Sequence, residues 1–207
     1  MFGLYRSFYD RVVTAAVNGG AYPAGASSVE THGGGVGGGV VINLVPRHLD
    51  IQGSILTGRG IGRYGSGSLP DATAKPNGSL QGIPETMLLA GGVFHATKAL
   101  DFYVFGGQEK ESTKTYTLNG ALYGFGVPVA NNSGCEIEGG TCSPLNRAVM
   151  QITGGFWDKF YQGSFGRTQF GIQYSYTERL TFADAATHFA PTAKEDMVFF
   201  SFRYYPF

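Results

Sequence analysis

Apolar and polar side chains alternate with a period of two along much of the chain, a pattern that predicts β-strands. The clearest example is the stretch 165–179, in which Phe170, Ile172, Tyr174 and Tyr176 alternate with Gln, Gly, Ser and Thr residues. A helix would scatter these residues around its circumference, whereas a half-buried strand places them on two separate faces. We therefore predict an all-β fold of antiparallel strands.

The alternation predicts seven strands, at 40–44, 49–59, 86–96, 99–110, 147–160, 165–179 and 195–207. The apolar residues within 1–16 suit either one face of a short helix or an eighth strand. The segments 18–39 and 60–84 are rich in Gly, Ser or Pro and are predicted to be loops. We expect that part of 116–127 extends strands beyond a membrane.

The predicted connections alternate in length along the chain. The short connections are 45–48, 97–98 and 161–164, and the long connections are 18–39, 60–84, 112–146 and 181–194. Up-and-down barrels of the bacterial outer membrane have short periplasmic turns and long extracellular loops. A soluble meander has no reason to sort its loops by length, so the alternation favours a transmembrane β-barrel.

The composition supports the same class of protein. Charged residues make up 14% of the chain, against about 25% in a typical soluble domain. Aromatic residues also make up 14%, and 33 of the 207 residues are Gly. No run of about 18 apolar residues is present to form a membrane helix. The formal net charge is zero, which gives no electrostatic basis for nucleic-acid binding.

The final strand carries the most specific signal. Val198, Phe200, Phe202 and Tyr204 share one face, and the sequence ends at Phe207. This stretch resembles the closing strand of Gram-negative outer-membrane β-barrels of the porin-like kind. The resemblance implies that residues 200, 202, 204 and 207 form a membrane-insertion signal. It also implies a bacterial outer-membrane location and recognition by the barrel-assembly machinery during insertion.

We expect two regions, an N-terminal strand or loop segment over 1–34 and membrane barrel strands over 35–207. The first residues lack the basic start, apolar core and cleavage site of a signal peptide, so we expect the C-terminal portion of a longer family member. Eight strands suffice to close a barrel whose interior side chains nearly fill. A larger barrel, with strands encoded upstream or supplied by other copies in a homo-oligomer, is equally compatible.

The polar phase of the strands predicts a set of lumen-facing side chains, namely Arg167, Gln169, Gln173, Arg179, Arg203, Gln52 and Asp101. Polar residues in such positions line a water-filled path and set its selectivity. The predicted function is an outer-membrane porin-like channel for passive diffusion of small polar solutes. The alternative is a non-conducting structural or adhesive barrel that acts through its extracellular loops. Eight strands favour the packed barrel and 14 or more favour the pore, and a soluble secreted β-sandwich is a third possibility.

The sequence offers little other chemistry. Cys135 and Cys142 lie in the longest predicted loop, and in an exported protein this arrangement predicts a disulfide. The G-x-G-x-x-G match at 60–65 is followed by Gly, Ser and Pro and not by the helix that nucleotide binding requires. The four histidines show no metal-ligand spacing and are expected to be interfacial or solvated. We therefore predict no enzyme activity, metal or cofactor, and expect outer-membrane lipid but no nucleic acid as a partner.

Overall fold

The computed structural model describes residues 1–14, 25–128 and 131–206, in which nearly all regular structure is β-strand. The strands are β1 (Phe2–Thr14), β2 (Gly25–Val45), β3 (Leu49–Arg59), β4 (Ala72–Ala74), β5 (Leu80–Gly82), β6 (Pro84–His95), β7 (Leu100–Glu111), β8 (Lys114–Leu118), β9 (Ala121–Phe125), β10 (Asn146–Gly163), β11 (Gly166–Thr181) and β12 (Thr192–Tyr205). A single 3-10 turn, Gly62–Tyr64, follows β3 in the described part of the chain. The prediction of an all-β fold is confirmed.

The eight long strands form one sheet in the order β1-β2-β3-β6-β7-β10-β11-β12. Every neighbouring pair is antiparallel, so the sheet is an up-and-down meander in chain order. The hairpins β4–β5 and β8–β9 lie in two of the long connections. In the described residues β1 and β12 each pair on one side only.

Most predicted strands match the structure to within a few residues, and β3 has the predicted bounds. The predicted turn at 161–164 is placed too early, because β10 continues to Gly163. A register shift between Asp158 and Tyr161 lets the strand bend and remain paired with β11. The turn itself consists of residues 164–165.

The prediction of a loop over 18–39 is wrong for residues 25–39, which belong to β2. Several of the glycines that suggest a loop are needed here for close packing of three strands. A Cβ atom added at Gly34 would lie 2.4 Å from the Leu4 carbonyl oxygen, and one at Gly35 would lie 2.6 Å from the Thr57 oxygen. Residues 18–24 lie outside the described part of the chain.

The N-terminal segment, for which a helix and a strand were both open, is a strand. β1 pairs with β2 from Phe2 opposite Gly37 to Thr14 opposite Gly25 and thereby joins the main sheet. Residues 15 and 16 lie outside the described part. The segment 116–127 does not extend β7 or β10, because β8 and β9 form a separate two-stranded hairpin.

Long and short connections alternate as predicted. Residues 46–48, 96–99 and 164–165 form the short connections, and residues 60–83, 112–145 and 182–191 form long ones. Since consecutive strands are antiparallel, these long connections all lie at one end of the sheet. Most of the buried apolar side chains of the described residues also lie in these connections, among them Ile61, Leu69, Ile83, Phe125 and Val127. The buried apolar side chains therefore lie mainly within the long connections at one end of the sheet, and not along the strands.

Candidate functional site

The two faces of the sheet differ in chemistry. One face, here called the inner face, borders a cavity of about 910 Å³ to which residues of β3, β6, β7, β10, β11 and β12 contribute. Its lining includes polar side chains such as Glu109, Gln151, Arg179 and Glu195. Phe2 of β1 borders the same cavity. Side chains from the first and last strands of the sheet therefore face one shared space.

The outer face is apolar and exposed. Its large exposed side chains include Val40, Ile42, Ile51, Ile55, Leu88, Phe94, Phe102, Val104, Ile152, Val198, Phe200, Phe202 and Tyr204. Phe200 is 72% exposed and Phe202 is 67% exposed. Soluble monomers rarely expose contiguous apolar patches larger than a few hundred Å². An exposed apolar face of this extent is unusual for a soluble monomer.

The apolar band of the outer face has clear limits toward the long connections. On β6 it covers residues 88–94, and on β7 it covers residues 100–104. The outer-face residues nearer the long connections are polar, with the Thr86 hydroxyl 3.0 Å from that of Thr57 on β3. Lys110 lies opposite Thr86 on β7. The strand ends beyond these residues, including Glu85 and Glu111, thus lie outside the band.

The predicted insertion residues Phe200, Phe202 and Tyr204 lie together on the outer face, whereas Phe207 lies outside the described residues. The seven predicted lumen residues share the inner face. Asp101 on β7 is paired with Trp157 on β10, and Trp157 is paired with Gly171 on β11. Paired residues point to the same face, so Asp101 shares the face of Gly171 and of residues 167, 169, 173 and 179, which alternate with it on β11. The structure thus brings the seven residues to one face, and their role in a pore remains a prediction.

Aromatic rings position the inner-face arginines near the short turns. The Arg203 guanidinium carbon lies 4.1 Å from the Trp157 ring centroid, and that of Arg167 lies 4.6 Å from the Tyr205 centroid. Cation–π contacts of this kind stabilise an arginine by about 0.5–2 kcal/mol. Gln173 is also held, because its side-chain oxygen accepts a 3.0 Å hydrogen bond from Tyr103.

An ionic cluster that sequence reasoning missed lies close to the short turns. His95 Nδ1 is 2.7 Å from the Asp101 carboxylate, and His95 Nε2 is 3.3 Å from that of Asp50. Lys159 Nζ lies 2.5 Å from Asp101. His95 is thus held by two carboxylates while its side chain stays 31% exposed. The sequence does carry a signal, because Asp50 and Asp101 occupy the same place in the similar strand starts Leu-Asp-Ile and Leu-Asp-Phe.

The connection 60–83, here called the inward loop, packs against the inner face of the sheet. Ile61, Leu69 and Ile83 are at most 3% exposed. The Glu109 carboxylate of β7 accepts hydrogen bonds from the backbone N–H groups of Ser66 at 2.5 Å and Gly67 at 2.9 Å. The loop therefore borders the cavity and narrows it from the side of the long connections.

A second anchor ties the inward loop to the first strand. Asp71 of the loop lies 2.8 Å from the Arg6 guanidinium of β1 and 2.7 Å from that of Arg63. Burial acts to raise the pKa of Asp71, but hydrogen bonds from Arg63 and Arg6 outweigh burial and lower it. Arg6 also donates a 3.0 Å hydrogen bond to the Gly60 carbonyl oxygen. Asp71 is therefore ionised at neutral pH and holds both arginines.

The glycines of the G-x-G-x-x-G match serve this packing. A Cβ atom at Gly62 would lie 2.1 Å from the Leu69 carbonyl oxygen, and one at Gly65 would lie 2.2 Å from a Glu109 carboxylate oxygen. The segment forms a 3-10 turn and leads into an extended chain. The helix that a nucleotide-binding motif requires is absent from residues 60–83, all of which are described.

Two glutamates are buried beneath the inward loop. Glu85 and Glu111 lie directly opposite each other on β6 and β7 and are 3% and 1% exposed. None of their four carboxylate oxygens has a hydrogen-bond partner among residues 1–14, 25–128 and 131–206. Burial raises the pKa of Glu85 to about 7, and the charges of Glu109 and Asp71 add to this shift. Burial also raises the pKa of Glu111 to about 8, reinforced by Glu85 and Asp71.

The described parts of two other long connections, 112–128 with 131–145 and 182–191, are joined through a buried asparagine. Asn132 is fully buried, and its side-chain nitrogen donates to the carbonyl oxygens of Phe182 at 3.0 Å and Phe189 at 2.9 Å. The sulfur atoms of Cys135 and Cys142 lie 2.10 Å apart in the same region, the distance of the predicted disulfide. These connections therefore form an ordered platform at the end of the sheet.

Comparison of the chain with family models, curated proteins and solved structures finds no match. In the described residues no helix has the length and apolar character needed to cross a membrane. The same residues contain no group of three or more His, Cys, Asp or Glu side chains arranged to hold a metal ion. The functional interpretation therefore rests on the geometry of the two faces and of the loops.

Proposed function

We propose that this chain forms the wall of a porin-like channel in a bacterial outer membrane, through which small polar solutes diffuse passively. The observation that carries the proposal is the division of one sheet into an exposed apolar face and a polar face that borders a cavity. A transmembrane β-barrel needs this division, because its outside contacts lipid and its inside contacts water. The short turns would then be periplasmic and the long connections extracellular.

Part of the inner face is exposed and supports a wide lumen, whereas Asp101, Gln169 and Ser175 on the same face are buried. The interior of a closed eight-stranded barrel is just wide enough for side chains to fill. The inner-face residues Leu89 and Phe199 remain 42% and 47% exposed, and Gln52 and Arg179 are also exposed. We infer that the edges of β1 and β12 are joined through further strands and not directly to each other. Such a barrel would leave space for water along the arginines and glutamines of the inner face.

A second candidate function is a non-conducting barrel that acts through its extracellular loops. The observation that favours it is the platform built around the fully buried Asn132, since an ordered loop surface is suited to binding a partner. The inward loop also favours this candidate, because it occupies part of the space that solutes would cross. The two candidates differ in whether the lumen conducts ions.

Single-channel recording in a planar bilayer tests the proposal. The chain is extracted from membranes in detergent, checked for a folded, heat-modifiable state and added to one side of the bilayer. Stable, discrete current steps are the expected result, and the heat-denatured sample is the matched control. A folded sample that inserts into the bilayer without passing current would replace the channel with the loop-based function. Solubility without detergent would end both.

A further inference from the structure

The buried pair Glu85 and Glu111 has no role in the channel proposed above. The two side chains are cross-strand partners, and such partners have Cβ atoms about 4.5–5.5 Å apart. Both are almost fully buried, and their oxygens lack hydrogen-bond partners in the described chain. Two adjacent carboxylates in a buried site without hydrogen-bond donors can both be ionised only if a cation neutralises them. Without a cation, they bind protons.

The cationic groups near the pair are committed elsewhere. Arg6 and Arg63 are held by Asp71 of the inward loop. Arg59 and Lys110 belong to the outer face by their register with Gly34 and Thr86.

Lys114 and Arg147 likewise make no hydrogen bond to the two carboxylates in the described part of the chain. Lys114 of β8 lies 5.9 Å from the Tyr116 ring centroid, and Arg147 of β10 is exposed. The charges that do act on the pair, those of Glu109 and Asp71, are negative. The electrostatic environment therefore favours protonated carboxyl groups.

The pair is placed to act on the inward loop. The Gly60 N–H donates a 2.9 Å hydrogen bond to the Ile83 carbonyl oxygen, so the two ends of the loop meet next to Glu85. The Ile83 N–H in turn donates a 3.0 Å hydrogen bond to the Asp71 carbonyl oxygen. The two anchors of the loop, Asp71 and Glu109, are carboxylates. Negative charge on the pair would therefore repel both anchors at once.

We propose that Glu85 and Glu111 form a buried proton-binding pair that keeps the inward loop docked while protonated and releases it when both carboxylates ionise. This pairing does not depend on conduction, so it can hold even if the channel function fails. The sign follows from the direction of the shifts. Because the folded state binds protons more tightly than the opened state, docking is favoured at low pH and weakens as the pH rises from about 5 to 9.

Infrared spectroscopy of the whole chain in detergent micelles detects the protons directly. At pH 6 the wild-type protein should show the carbonyl band of a buried protonated carboxyl group, and this band should disappear by pH 9. The band should be absent from the double variant Glu85→Gln, Glu111→Gln. It should persist in the control Glu178→Gln, which removes an outer-face carboxylate of β11 near Lys194. Absence of the band from the wild-type spectrum at pH 6 would overturn the proposal. Binding of calcium by the pair would also overturn it, because the cation would neutralise the carboxylates in place of protons.

Hydrogen exchange of amides in residues 61–71 tests the link to the loop. Comparing the wild type with the double glutamine variant at one pH cancels the intrinsic pH dependence of exchange. We expect equal rates at pH 5 and roughly tenfold faster exchange in the wild type at pH 9. The single variant Glu85→Gln removes the charge that faces Glu111, and its exchange rate at pH 9 should lie between those of the wild type and the double variant. It replaces the double variant in the comparison if that protein does not fold. Rates that keep the same ratio at both pH values would refute the coupling.

Discussion

Replacement of Glu109 by Ala should release the inward loop from the sheet. The carboxylate of this residue accepts two hydrogen bonds from the backbone N–H groups of Ser66 and Gly67. The loop backbone lies so close that a Cβ atom at Gly67 would be 2.9 Å from a carboxylate oxygen. Hydrogen bonds to a charged group contribute about 1.5–3 kcal/mol each when they are buried. These two are partly exposed, so we reduce their combined value to about 1.5–2 kcal/mol for solvent screening.

A loss of this size corresponds to a rise of about ten- to thirtyfold in the population of the opened loop. Hydrogen exchange of residues 61–71 should accelerate by this factor at pH 6, whereas exchange within β10 and β11 should be unchanged. If the lumen conducts, the open current should also rise or become noisier. The matched control is Gln108→Ala, since Gln108 directly precedes Glu109 on β7 and lies on the outer face. Equal exchange in the two variants would refute the role of Glu109 as an anchor.

Three further predictions concern the lumen, the membrane and the loops. Replacing Arg167 and Arg203 together by Glu should shift the ion selectivity toward cations, as measured by reversal potentials in a salt gradient; unchanged potentials would remove both residues from the path. Phe200→Arg should destabilise the inserted state by about 2–4 kcal/mol, as measured by folding into lipid vesicles, and normal insertion would argue against lipid contact at this position. Replacing Cys135 and Cys142 by Ser should speed proteolysis of the loop 131–145 without changing the melting of the sheet; a large loss of sheet stability would contradict a purely local disulfide.

The sequence predicts most strands because a strand with two different environments has a strict period of two. In β11, Phe170 and Ile172 alternate with Gln169 and Gln173, so one pattern gives the strand and also the shared face of the lumen candidates. The same logic fails in β2. Its run of glycines has no side chains to alternate, and the close approach of Leu4 and Thr57 explains Gly34 and Gly35 only in the folded sheet.

The inward loop could not be predicted from local sequence, because its anchors come from distant strands. Arg6 meets Asp71 across 65 positions of the chain, and Glu109 meets Ser66 across 43 positions. No periodicity encodes such contacts. The His95 cluster is intermediate, because its two aspartates recur at equivalent strand starts although the histidine between them gives no pattern of its own.

The edges of the sheet provide an independent argument about the assembled protein. In hydrocarbon each unpaired backbone N–H or C=O group costs several kcal/mol, so a lipid-embedded sheet cannot keep open edges. β1 and β12 both bear such edges in the described chain, and the outer face of β12 carries Phe200 and Phe202 at high exposure. The proposed barrel thus demands lipid at its outer face and strand partners at its edges. A barrel closed through further strands meets both demands and leaves the polar inner face in water, which is the arrangement that a diffusion channel requires.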